Sequence, residues 1–144
     1  VEKGNLEIVQ LLLSSPKLDI NIKTKKYSHM NPINPTSMKE ENEDYGYCYY
    51  EDSEKNALCI AIEKENARIV QQLLSFENID VNDKCKIKSN NEKSPLHLAV
   101  FKKNIVIIKL LLKNKRININ IIDEKGKKPI DYTKNNQIIQ LLQK

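Results

Sequence analysis

Three cysteines and two histidines are the side chains best suited to metal binding or nucleophilic chemistry, and their spacing suits neither. Cys48, Cys59, Cys85 and His29 make a donor set that zinc would accept, but no Cys-x-x-Cys pair brings them together, so no metal site is expected. An odd number of cysteines at irregular intervals argues against a disulfide framework and fits a reducing compartment. The cytoplasm is therefore expected, with the nucleus as the alternative. No Ser-His-Asp order, nucleophile elbow or paired-carboxylate motif surrounds His97. With only three glycines there is no phosphate-cradling loop. Neither a catalytic residue nor a cofactor is expected, and the chain does not read as an enzyme.

The remaining chemistry is that of recognition. Lysine dominates the net charge of +5 and clusters at Lys23, Lys25 and Lys26, at Lys84, Lys86 and Lys88, and at Lys125, Lys127 and Lys128. Such a row attracts acidic proteins, nucleic acid or anionic lipid. In a chain this rich in lysine it equally serves to solvate exposed turns. Scarce arginine, only Arg68 and Arg116, weakens a nucleic-acid reading. Tyr45, Tyr47, Tyr49 and Tyr50 lie within six positions, in a segment, 24–53, that has no sustained apolar period. Tyrosine supplies large, fairly rigid contact area, whereas disordered segments are usually poor in aromatics. No apolar run approaches the length of a membrane span; Lys109 interrupts the longest, Ile105 to Leu112.

The elements that must hold these side chains come from a repeated phrase. Ile8-Val9-Gln10-Leu11-Leu12-Leu13 precedes Leu18-Asp19-Ile20-Asn21; Ile69-Val70-Gln71-Gln72-Leu73-Leu74 precedes Ile79-Asp80-Val81-Asn82; Ile107-Ile108-Lys109-Leu110-Leu111-Leu112 precedes Ile117-Asn118-Ile119-Asn120. Ile138-Ile139-Gln140-Leu141-Leu142 is a fainter copy. Before the third copy, Ser94 and Pro95 form a helix start, capping residue then proline at the first helical position. Leu96, Ala99 and Val100 then share one face. The alternation in 117–120 predicts an extended exit. No single unit can bury its own apolar face, so the copies must stack into a solenoid.

Ser94-Pro95-Leu96-His97-Leu98-Ala99, the exits Leu18-Asp19-Ile20-Asn21 and Ile79-Asp80-Val81-Asn82, and the turn Asp123-Glu124-Lys125-Gly126 resemble the ankyrin repeat. The resemblance implies an all-α helical solenoid with finger-like connectors. It also implies that His97 is structural and that Cys59, at the equivalent place, is a buried inert thiol. The family period is about 33 residues. Val70 to Ile108 spans 38 positions and Val9 to Val70 spans 61, so the surplus falls in the connectors, most of it in 24–53. The expected units are a partial repeat at 1–22, an inserted finger loop at 24–53, repeats at 54–82 and 83–120, and a C-terminal capping repeat at 121–144. Further repeats are expected before Val1.

Four departures from the pattern carry expectations. Glu65 and Lys103 stand where Gly4 stands, so Asn66 and Asn104 are expected to take the left-handed turn conformation. Asn56-Ala57 and Lys128-Pro129 lack the full capping pair. Gln72 replaces a leucine, so the second copy should pack less well or face a wet neighbour. The unit after Thr133 is short, as suits a terminal cap.

The function implied is a monomeric scaffold or adaptor that binds a protein partner through its fingers and concave helix face. By position the contacts fall to Lys25, Lys26, Tyr45, Tyr47, Tyr49, Tyr50, Lys64, Lys86, Lys88, Phe101, Lys102 and Lys125. The alternatives are electrostatic binding of nucleic acid or anionic lipid, and service as the regulatory module of a larger enzyme.

Overall fold

Four asparagines and a serine start the helices. In the computed structural model, which describes residues 19–26, 53–86 and 91–143, helix α1 (Ala57–Glu63) begins where Asn56 Oδ1 accepts from the Cys59 amide at 2.9 Å. Helix α2 (Ala67–Leu73) is capped by Asn66, α3 (Pro95–Phe101) by Ser94 with Pro95 behind it, α4 (Ile105–Lys113) by Asn104, and α5 (Asn136–Leu142) by Asn135. Asn56 caps the helix although Ala57 stands in place of the proline: its amide oxygen does what the missing serine would do. Between α4 and α5 a 3-10 helix, Pro129–Tyr132, stands in for a first helix; there the Asp131 carboxylate reaches back to the Lys128 amide at 2.8 Å.

The left-handed residues are Glu65 and Lys103 themselves, each at φ 56°. Asn66 and Asn104 both sit at φ −86°. A capping residue must keep an ordinary negative φ for its side chain to reach the amide three positions on, so the strained turn falls one residue earlier. The turn closes α1 by bonds from Glu65 N to the Ile62 carbonyl and from Asn66 N to the Ala61 carbonyl, both 2.9 Å. The same pair recurs at Lys103 and Asn104 after α3. These bonds satisfy the carbonyls a helix end leaves open and offset a non-glycine cost of roughly 1–2 kcal/mol.

Stacking follows. Helix α1 packs on α2 and on α3; α3 packs on α4 and on the 3-10 helix; α2 packs on α4. The core runs along the stack through Ile62, Val70, Leu96, Ile107, Ile108, Leu111 and Ile138, all fully buried. Two small sheets qualify the all-α expectation. Strand β1 (Thr24–Lys26) pairs antiparallel with β2 (Ser53–Lys55), and β3 (Cys85–Lys86) with β4 (Glu92–Lys93). The two fingers are neighbours, with β2 against β3.

The exits are turns rather than extended segments. Asn21, Asn82 and Asn120 each donate a backbone N–H to the side-chain oxygen two residues earlier, at 2.9–3.0 Å. That local ring bends the chain before a strand can form. The asparagine side chains then bridge outward. Asn21 holds the Asn78 carbonyl and the Asp80 amide, both at 2.8 Å; Asn82 holds the Arg116 carbonyl and the Asn118 amide, both at 2.8 Å. A one-residue motif thereby becomes a lateral ladder between units.

Gln72 sits where α4 carries Leu110, and its Oε1 is buried with no hydrogen-bond partner. A stranded amide oxygen costs about 1–3 kcal/mol. Gln72→Leu should therefore raise stability by about 1 kcal/mol, seen as a higher urea midpoint at unchanged slope.

Candidate functional site

The C-terminal ends of α1 and α3 are neighbours, since the two helices pack on each other and Lys102 lies near Glu65. Six successive residues of α3, Pro95 to Val100, are buried, and Phe101 then turns out to solvent with 64% of its surface exposed. Lys64 and Lys102, the C-caps of α1 and α3, are exposed. Lys102 reaches Glu65 only at 4.0 Å, an exposed pair of little worth. An aromatic ring among cations on a rigid helix end is a surface suited to an apolar anchor with acidic neighbours.

The fingers contribute unevenly. Lys125, Lys127 and Lys128 are exposed on the last connector, and Lys86 is half-buried on β3. Lys23 is engaged within the fold: its ammonium lies 2.7 Å from Asp83 and 2.9 Å from the Lys84 carbonyl. Lys25 and Lys26 lie on β1. Lys88, Tyr45, Tyr47, Tyr49, Tyr50, Cys48 and His29 lie outside the described residues. Among those that are described, no group of three or more His, Cys, Asp or Glu side chains is placed to hold a metal.

A buried polar cluster locks the last connector. Asp123 is 4% exposed and takes the Lys93 ammonium at 2.9 Å, the Tyr132 hydroxyl, and the amides of Lys125 and Lys127 at 2.9 Å each. Burial alone would raise its pKa. The bonds from Tyr132, Lys93 and the two amides outweigh it and hold the carboxyl well below the usual range. For Lys93, burial works to lower the pKa, and the bonds to Tyr132 and Asp123 reverse it to a net rise. The Lys93 ammonium also lies 3.8 Å from the Tyr132 ring centroid. His97 is fully buried, with Nδ1 at 2.7 Å from the Ser94 hydroxyl and Nε2 at 2.9 Å from the Lys127 carbonyl. Burial lowers its pKa, so it stays neutral, and the structural role expected of it fits this geometry.

The 38-residue offset shows what replaces this cluster one unit earlier. Lys55, Glu63, Cys59 and Cys85 stand where Lys93, Phe101, His97 and Asp123 stand. Without a carboxylate at position 85, Lys55 turns to Glu63, with Nζ at 2.8 and 2.9 Å from its two oxygens. Cys59 and Cys85 are joined by a disulfide, which overturns both the expectation of no disulfide and that of an inert thiol at Cys59. Count and chain spacing missed it because stacking, rather than sequence distance, sets the first helix of one unit against the finger that follows it. Their Cα atoms are 6.6 Å apart across 26 residues of chain.

A family model described as ankyrin repeats (3 copies) matches residues 1–123 and again 58–143. The chain belongs to the ankyrin-repeat family. Ankyrin repeats are helical-repeat solenoids that generally mediate protein–protein interactions and are typically not enzymes. No curated protein matches the chain. Among the described residues no helix is long and apolar enough to cross a membrane.

Proposed function

We propose that this ankyrin stack is a monomeric scaffold or adaptor whose fingers and concave helix ends grip one protein partner. The observation that carries this reading is Phe101, two-thirds exposed on an otherwise buried helix and followed by the exposed Lys102. Stacked helices hold these side chains in place, so little ordering entropy is lost on binding. The units are 54–82, 83–120 and a cap at 121–144, preceded by a partial repeat at 1–22. We read 24–53 as an inserted finger loop and assign its tyrosines, Tyr45, Tyr47, Tyr49 and Tyr50, a share in partner binding. Its support is the β1–β2 ladder, which brings Lys26 and Ser53 into register. The compartment is the cytoplasm, with the nucleus as alternative, on the uneven cysteine complement. Recovery of the intact protein with Cys59 and Cys85 linked under rapid acid quenching would move it to an oxidising one.

Partner capture from native extract, followed by titration of the captured protein, tests the reading. Phe101→Ala with Lys102→Glu should weaken binding at least about tenfold while stability stays within about 0.5 kcal/mol. Replacing 27–52 by Asn-Gly keeps the β1–β2 ladder and should also weaken binding; an unchanged affinity would make the finger a spacer. Binding that follows nucleic acid or anionic vesicles and collapses as salt rises would favour the electrostatic alternative.

A further inference from the structure

We propose that Cys59 and Cys85 are a reversible redox site, a clasp that tightens one interface of the stack and leaves the next one unaffected. Cys59 lies on α1 beside the capping residue Asn56, and Cys85 opens the β3–β4 finger. Both are fully buried, and their Cα separation of 6.6 Å is within the span of a disulfide.

The same backbone suits the reduced state. Cys85 Sγ lies 3.8 Å from Asn56 Oδ1 and 3.7 Å from the Asp83 carbonyl, so a thiol there has acceptors for its proton without rearrangement. The Cys85 thiol is therefore accommodated in place, and a site that tolerates both forms can pass between them.

At the next interface the equivalent positions hold His97 and Asp123, which are joined to the Lys127 carbonyl and to Lys93. Those bonds respond to protons and not to electrons. At the clasp interface the described bonds besides the disulfide include Asn56 Nδ2 to Asp83 at 3.0 Å, and Lys23 to Asp83 and to the Lys84 carbonyl. Opening that finger requires parting a ladder of two residues on each strand. Such local opening costs far less than global unfolding and gives a reagent access to Cys85. Closure is thiol–disulfide exchange with a small-molecule disulfide. One cysteine thiolate attacks a sulfur of that disulfide and releases one thiol; the second attacks the mixed disulfide, forms the Cys59–Cys85 bond and releases the other. The two cysteines lose two electrons and two protons, which leave on the two released thiols.

The full chain carrying Cys48→Ser, equilibrated across ratios of oxidised to reduced glutathione, tests this. Acid quenching, alkylation after denaturation and peptide mass mapping read the bond. A linked Cys59–Cys85 peptide should appear at oxidising ratios and vanish at reducing ones. The oxidised form should melt about 10 °C above the reduced one, and Cys85→Ala should melt with the reduced form at every ratio. The proposal is overturned if glutathione adducts form in place of the bond, if the bond is present or absent at every ratio, or if the two forms melt together. Because Cys48→Ser supplies both states from one chain, the comparison stands even where Cys85→Ala fails to fold.

Discussion

Asp123→Ala is expected to destabilise the domain by about 3–5 kcal/mol, because it leaves the Lys93 ammonium buried without its partner. It also frees the Tyr132 hydroxyl and two backbone amides that turn the last connector. Urea unfolding at pH 7 measures the loss. Adding Lys93→Met should restore much of it, since removing both charges is far less costly than removing one. The pH profile separates charge from shape. Asp123 is depressed in the fold, so its contribution is present above the ordinary carboxylate pKa of about 4 and drains away as pH falls below it. His97 is also depressed, so the unfolded chain takes up its proton first and stability begins to fall below about pH 6.5. Lys93 is raised, so its contribution is complete below about pH 10 and is lost only above that. Two acid steps are therefore expected. Asp123→Asn should erase the lower one. It should deepen the upper one, because the Asp123 charge is among the influences that raise His97. A profile with the lower step intact in Asp123→Asn would assign it to other carboxylates.

The helix pairs were legible because two independent signals coincide in the sequence. Ser94-Pro95 marks a start, and the spacing of Leu96, Ala99 and Val100 marks a buried face; both act within one turn of chain. The turns were half legible. The asparagines at 66 and 104 were recognised as special, but helix capping and left-handed backbone both favour asparagine, and composition does not say which demand wins. Geometry settles it: a residue cannot cap the next helix from φ > 0, so Glu65 and Lys103 absorb the strain. The exits misled for a related reason. Alternating Ile and Asn at 117–120 has the period of a strand, yet an asparagine oxygen two residues back competes with any ladder and closes a local ring.

The partnerships between units were not legible, and they share one cause. Nothing in the sequence singles out Lys93, and Asp123 reads as part of a tight turn. Only stacking brings residues 30 apart into a buried pair. The Cys59–Cys85 bond has the same origin. The sequence aligns Cys59 with His97, and the same 38-residue offset aligns Cys85 with Asp123, a signal readable as a pairing only once those two positions are known to face each other. Of the nominated contacts, Phe101, Lys64 and Lys102 are exposed at the ends of two helices that pack on each other. Lys23, counted in the lysine row, is held by Asp83.

Leu96→Ala should cost about 2–5 kcal/mol, with the upper half of that range expected from its place in the stack. Leu96 is fully buried on α3, the helix that packs on α1, on α4 and on the 3-10 helix. The surrounding backbone has little freedom to close the void, since Pro95 fixes one side and every residue from Pro95 to Val100 is buried. In a solenoid each unit is held mainly by its neighbours, so weakening the middle unit also loosens both interfaces it makes. Unfolding should therefore lose cooperativity as well as midpoint. The apparent slope in urea should fall, and hydrogen exchange should speed up in α5 before α1 and α2, because α5 and the 3-10 helix have no further unit among the described residues to lean on. Phe101→Ala, five residues further along the same element, should change stability by no more than about 0.5 kcal/mol, because its ring already faces water. Equal losses from the two substitutions would mean that Phe101 supports the core and would remove the observation on which the binding surface rests.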